Sequence, residues 1–193
     1  MRTLVQLESV EAEIKKSRFL ALAAPVESPE AAFAWLQQQH HADASHHCWA
    51  YRIGELYRFN DDGEPTGSAG KPILAAIDGQ ELDRVVCVVI RWFGGTKLGV
   101  GGLVRAYGGT AAQCLRNAVH APIVLMTKHR VRVPFDTSGM VRALLDQHHA
   151  TKLGELWTEA GLELEFEMAQ GGEEFLRDAL RDGTSGRIVW IDE

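Results

Sequence analysis

Three stretches of the 193-residue chain hold residue types that can do chemistry. In RWFGGTKLGVGGLVR, residues 91–105, Gly94, Gly95, Gly99, Gly101 and Gly102 surround Lys97 and lie between Arg91 and Arg105. Glycines let backbone N–H groups approach a ligand, and the start of a following helix attracts anions. The stretch therefore reads as an anion- or RNA-binding loop, with Lys71 adding a cation from upstream. It is not a Walker loop: Gly94 and Gly99 have the spacing, but Val100 and Gly101 stand where Lys and Ser/Thr are required. Nor is it a dinucleotide fingerprint, because Val104 replaces the third glycine. The competing reading is a tight turn that needs positive φ.

The second stretch is Asp61-Asp62-Gly63-Glu64-Pro65. Its three carboxylates can chelate a cation, form an acid–base pair, or simply make an acidic turn; they lack EF-hand spacing. The third is a set of adjacent histidines. His46 and His47 share a strand pattern and must point to opposite faces, so they cannot bind one metal together. His40-His41 and His148-His149 each close a helix pattern, where imidazole favours the negative dipole end. None of this spacing matches a structural zinc site. Cys48, Cys87 and Cys114 show no CxxC spacing and read as reduced, buried thiols of a cytosolic protein. Ser68 lacks the strand–turn–helix context of a nucleophile elbow. The sequence thus offers no catalytic constellation, no metal site and no cofactor site.

The elements that must position these residues follow from periodicity. Val85-Val86-Cys87-Val88-Val89-Ile90, apolar at both parities, predicts a central strand buried on both faces. From Leu103 apolar and small residues return at helical spacing through Ala118. Gly108 falls on that helix's apolar face, which predicts close packing on the sheet; Gly109 falls with Arg105 and Arg116 on a flat basic face that suits phosphate or plain solvent. Upstream, residues 17–26 and 46–53 predict strands, 56–59 a partner for the second, and Ser28-Pro29 a helix start running to about His40. Residues 60–70 form a loop, and Lys71-Pro72 opens a short helix. After Pro122 the order is strand 123–135, helix 136–149, strands 151–157 and 162–168, helix 172–181 and strand 186–191. That βαββαβ order is the ferredoxin-like split unit.

Apolar residues make up 46% of the chain, which is ordinary for a globular protein. The N-terminus carries acids where a signal peptide needs an apolar core, and no stretch approaches a membrane span; a cytoplasmic location without membrane contact is expected. Up to Lys128 the chain has 13 basic and 13 acidic residues; beyond it, 7 and 13. The whole net charge of −6 therefore lies in the last third. The shift predicts two domains, 1–121 and 122–193, of which the neutral first is the better anion binder.

Together the motifs carry a family resemblance. Arg91-Trp92-Phe93-Gly94-Gly95-Thr96-Lys97-Leu98-Gly99 followed by Gly101-Gly102-Leu103-Val104-Arg105-Ala106-Tyr107 closely resembles the signature of the YigZ/IMPACT family. Asp61-Asp62-Gly63-Glu64-Pro65 with residues 67–74 resembles its second motif, Lys15-Lys16-Ser17-Arg18-Phe19 its N-terminal one, and Ser45-His46-His47-Cys48 a fourth. The resemblance implies an α+β protein. Its first domain is expected to be similar to the second domain of ribosomal protein S-five, its second to be ferredoxin-like, and the pair to resemble elongation factor G domains IV and V. It transfers no catalytic residues. The expectation is a non-enzymatic cytosolic protein that binds RNA or the ribosome and modulates translation. Two alternatives stand beside it: a regulator docking a protein partner through the acidic C-terminal domain, and an enzyme acting on a phosphorylated small molecule at the glycine loop. Three further expectations are specific. The loops 61–71 and 94–102 form one surface. Lys71, Arg91, Lys97 and Arg105 make a basic patch on it. In the second domain, Arg130 and Arg132 share an open sheet face with Glu163, Glu165 and Glu167, so that face does not bind RNA.

Overall fold

The computed structural model describes residues 1–191. The chain divides into two compact units, Met1–Ile123 and Val124–Glu193, and the architecture is α+β. Among the described residues no helix is long and apolar enough to cross a membrane.

The first unit begins with a short strand, β1 (Arg2–Leu4), and a hairpin of β2 (Glu8–Ile14) and β3 (Ser17–Pro25). Helix α1 (Pro29–Gln38) follows; Ser28 Oγ accepts the Ala31 N–H at 3.2 Å and Pro29 needs no partner for its missing N–H. Next come β4 (His46–Ile53), β5 (Leu56–Asn60), α2 (Gly70–Asp78), β6 (Val85–Trp92), α3 (Val100–Asn117) and β7 (His120–Pro122). Five strands make one sheet in the order β2-β3-β6-β4-β5, every neighbour antiparallel. The reason β6 is apolar at both parities is now visible. Phe19, Ala21, Cys48, Ala50, Cys87 and Val89 face a core closed by α2 and α3. Leu22, Val86, Val88 and Ile90 face the opposite side, where α1 packs. Each fully buried aliphatic side chain contributes about 1.5–3 kcal/mol, so the central strand holds both layers together.

Gly108 departs from expectation. A Cβ there would meet Pro72 of α2 at 3.3 Å, so the glycine permits helix–helix contact rather than helix–sheet contact. β1 and β7 pair as a separate two-stranded sheet, which periodicity over three residues cannot reveal.

The second unit runs β8 (Met126–Val133), a 3-10 turn over Phe135–Thr137, α4 (Ser138–Gln147), β9 (Thr151–Thr158), β10 (Gly161–Ala169), α5 (Glu173–Gly183) and β11 (Val189–Trp190). The sheet order is β11-β8-β10-β9, all antiparallel. Val131, Val133, Leu162, Leu164 and Phe166 form a core with Val141 and Leu145 of α4 and Leu176 and Leu180 of α5. Phe135, expected to end the first strand, is instead half exposed in the turn after Pro134, and β11 keeps only two of the six expected residues. On the open face Glu163 accepts from Arg130 at 2.8 Å and from Arg132 at 2.7 Å. The Arg132 hydrogen bonds, helped by the Arg130 charge, hold its carboxyl below the usual carboxylate range.

Candidate functional site

The site is built where β6 leaves the sheet. Arg91 shares its parity with Cys87 and Val89, so its side chain enters the α2–α3 face beside its strand neighbours Phe19 and His46. It is only 5% exposed. A buried guanidinium needs a partner, because an unpaired buried charge is strongly destabilising. Glu64, equally buried, supplies it: Oε1 accepts Arg91 Nη1–H at 2.5 Å and the Tyr107 hydroxyl at 2.8 Å. Arg91 Nη2 reaches Ser17 Oγ at 3.3 Å, and the guanidinium lies between the rings of Phe19 and Phe93, 5.5 and 5.4 Å from their centroids. Its Nε has no partner among the described residues. His46 Nε2 approaches the same Glu64 oxygen at 3.8 Å, while Nδ1 lies 2.7 Å from the Asp62 carbonyl. A carbonyl only accepts, so Nδ1 carries a proton. Burial, reinforced by Cys48 and Glu64, drives the Tyr107 hydroxyl pKa far above its ordinary value. Burial also pushes the Cys48 thiol up to about 12, and Cys48 donates to the Asp61 carbonyl at 3.0 Å. These groups are held un-ionised and engaged.

The acidic loop is consumed in the same way. The Asp61 carboxylate accepts three backbone N–H groups, from Gly67 at 2.8 Å, Ala69 at 3.0 Å and Gly70 at 2.8 Å. It therefore stands in for a side-chain cap at the start of α2, where negative charge is favoured. Asp62 Oδ2 accepts the His47 backbone N–H at 2.6 Å. A Cβ on Gly70 would lie 2.6 Å from the Asn60 carbonyl oxygen, so the loop closes on its own helix only with glycine there. Asp61, Asp62 and Glu64 thus serve three separate anchor points. Among the described residues no group of three or more His, Cys, Asp or Glu is placed to hold a metal ion.

The glycine loop is shorter than its sequence suggests. Gly94, Gly95 and Gly99 lie in the connection, but Gly101 and Gly102 belong to the first turn of α3. Gly94 has a specific reason: a Cβ there would sit 1.9 Å from the Lys16 carbonyl oxygen, inside the β2–β3 hairpin tip. Its N–H donates to Ser17 Oγ at 3.1 Å. That tip is a two-residue turn in which Lys15 and Lys16 both take positive φ, 48° and 68°. Such turns favour Asn and Gly, so two lysines give no sequence signal for this geometry. The glycine loop and the acidic loop do meet. Glu64, Pro65, Arg91, Phe93, Lys97 and Leu98 line one shared hollow of about 300 Å³.

Of the four cations expected to make a basic patch, one is not on the surface. Arg91 is inside the protein, neutralised by Glu64, and contributes no surface charge. Lys97 is exposed at the hollow, Lys71 in the first turn of α2, and Arg105 one turn further along α3. Lys15 and Lys16, outside the expected set, join from the hairpin tip. None of these five cations makes a side-chain hydrogen bond or ion pair among the described residues. α3 itself starts at Gly99 with no side-chain cap and no acid in its first turn, leaving its amide groups free for an anion.

All of these residues fall within 15–115, the span that matches the Impact N-terminal domain. The chain belongs to the IMPACT family. It is 48% identical to an IMPACT family member of Thermus thermophilus over 93% of its own length and 99% of the relative's. It is 40% identical to the IMPACT family member YigZ of Escherichia coli over 70% of each chain. A solved structure of a hypothetical protein superposes with a TM-score of 0.77 at 32% identity, covering 98% of this chain and 95% of that one. The IMPACT-family span contains the hairpin tip, both loops and α3 up to Leu115, so the family's own segment coincides with the site.

Proposed function

We propose that this IMPACT family protein binds RNA, free or within the ribosome, through the basic end of its first unit, and that it modulates translation without catalysing a reaction. One observation supports the reading: Lys97, in the loop leading to the uncapped start of α3, and Lys15 and Lys16, on the hairpin tip packed against Gly94, are exposed and unpaired among the described residues, while the neighbouring carboxylates of Asp61 and Glu64 are turned inward. The ribosomal context is an expectation from family membership, which implies domains similar to the second domain of ribosomal protein S-five and to elongation factor G domains IV and V. The α2–α3 surface is the contact face; the second unit, whose open-face arginines are already paired with Glu163, makes no RNA contact.

The test is salt-dependent binding to ribosomal RNA. Each phosphate contact adds about 0.7–0.9 to the slope of log affinity against log salt. Reversing Lys15, Lys16 and Lys97 to Glu is expected to lower the slope by about 2–3 and the affinity at low salt by orders of magnitude. Reversing Arg130 and Arg132 instead leaves both unchanged. Undiminished binding after the triple reversal, or a nuclease-resistant protein partner in its place, sinks the proposal.

A further inference from the structure

On the face of the sheet opposite α2 and α3 lies a second concavity that the RNA reading does not use. It has a volume of about 480 Å³, and Phe33, Gln37, His40, His47, Trp49 and Asp62 are among the residues that line it. Three features define what it can hold. Its apolar lining is Phe33, Leu36, Trp49 and Val88, in which the rings of Phe33 and Trp49 meet edge-to-face at 5.4 Å and Trp49 is parallel to Tyr51 at 6.1 Å. Its imidazoles are ordered as a stack, His40 on His47, 4.9 Å apart and 23° from parallel. Its carboxylate is half used. Asp62 Oδ2 takes the His47 backbone N–H, whereas Oδ1 takes no hydrogen bond among the described residues.

We infer that this cleft binds a guanine base. Flat rings supply stacking for any base. The selectivity comes from Asp62. Guanine presents two adjacent donors, N1–H and the N2 amine, to a carboxylate, while adenine places an acceptor at N1 and is repelled. Each carboxylate oxygen has two lone pairs, so Oδ2 can keep the His47 N–H and still accept from the base. His47 is set to tolerate a neutral ligand. Its Nε2 accepts the His41 N–H at 3.0 Å, so Nδ1 holds the ring proton, 3.8 Å from Asp62 Oδ2. The base can come from a free nucleotide or from an unpaired guanosine in RNA; the recognition chemistry is the same.

The experiment titrates isotope-labelled full-length protein with GMP, with AMP, and with a short oligouridine carrying one central guanosine or adenosine. GMP is expected to shift the amide signals of Phe33, His47, Trp49 and Asp62 and to bind about tenfold more tightly than AMP. Trp49→Ala is expected to weaken both by about tenfold, and Trp49→Phe to restore most of that. Asp62→Asn keeps an oxygen for the His47 N–H but turns the other position into a donor, so it should erase the preference for GMP while the protein stays folded. If RNA is the source, the guanosine oligomer binds more tightly than GMP; if a free nucleotide is, the two bind equally. GMP binding that survives reversal of Lys15, Lys16 and Lys97 separates this cleft from the basic end. Equal affinity for GMP and AMP, shifts elsewhere in the molecule, displacement of GMP by tetramethylammonium, or no binding by any of these probes overturns the assignment.

Discussion

Glu64 offers the sharpest test of how the site is built. Its carboxylate neutralises a guanidinium that is 5% exposed and also accepts the Tyr107 hydroxyl. Glu64→Leu keeps similar volume but strands Arg91 in the core. Removing one partner of a buried pair costs about 3–5 kcal/mol. Arg91→Met strands the carboxylate, softened by the Tyr107 hydrogen bond, and should cost slightly less. The double variant leaves no unpaired charge and places two apolar side chains beside Phe19 and Phe93. It should therefore recover about 2–3 kcal/mol relative to the sum of the single losses. With urea slopes of about 1–3 kcal/mol/M, the Glu64→Leu loss moves the unfolding midpoint by at least about 1 M. Tryptophan fluorescence would mix the two units, because Trp157 and Trp190 lie in the second. Hydrogen exchange read on peptides spanning β6 reports the first unit alone. Additive single losses, or a midpoint shift under about 0.3 M for Glu64→Leu, would refute the buried-pair account.

Two further outcomes follow from the geometry. Burial, with the neighbouring His40, lowers the His47 pKa below its ordinary 6.5 despite the opposing Asp62 charge. The unfolded chain thus binds the proton more readily, so this contribution to stability is full above 6.5 and is lost as pH falls through the lower folded value. Urea midpoints measured from pH 7.5 to 5 should fall less steeply in His47→Gln than in the parent; identical slopes count against it. In α3, nothing lies within 4 Å of a Cβ built on Gly109, so Gly109→Ala should stabilise by about 1 kcal/mol. Gly108→Ala must displace Pro72 and should lose that gain; equal gains at the two sites would show that the α2–α3 contact is looser than described.

What could be read from sequence alone was what periodicity encodes locally. Val85 to Ile90 announced a strand between two layers, and the alternation of Leu162, Leu164 and Phe166 with glutamates announced one buried face; both are so placed. Arg91 shows where such reading stops. Grouped with Lys97 and Arg105 by proximity in the chain, it looks like a surface cation. Its parity with Cys87 and Val89 points it into the core, but the carboxylate that makes this possible is 27 residues away in a loop. Gly101 and Gly102 misled for a different reason. Glycine's low helix propensity ended the predicted loop too late, whereas Gly102 is needed because a Cβ there would lie 3.0 Å from that of Leu98.

The charge count misleads in the same non-local way. The first 128 residues are formally neutral, with 13 bases and 13 acids, which by itself gives no reason to expect an electropositive end. Around these loops the structure turns two acids inward rather than adding bases. Asp61 is surrounded by three N–H groups at the start of α2, and Glu64 is spent on a guanidinium that never reaches solvent. Lys15, Lys16 and Lys97 have no such internal partners, and the α3 start adds its amide dipoles on the same side of the balance. The acidic motif and the glycine motif are therefore one device. The carboxylates of Asp61 and Glu64 are held inside the loops, and Lys15, Lys16 and Lys97 are left exposed.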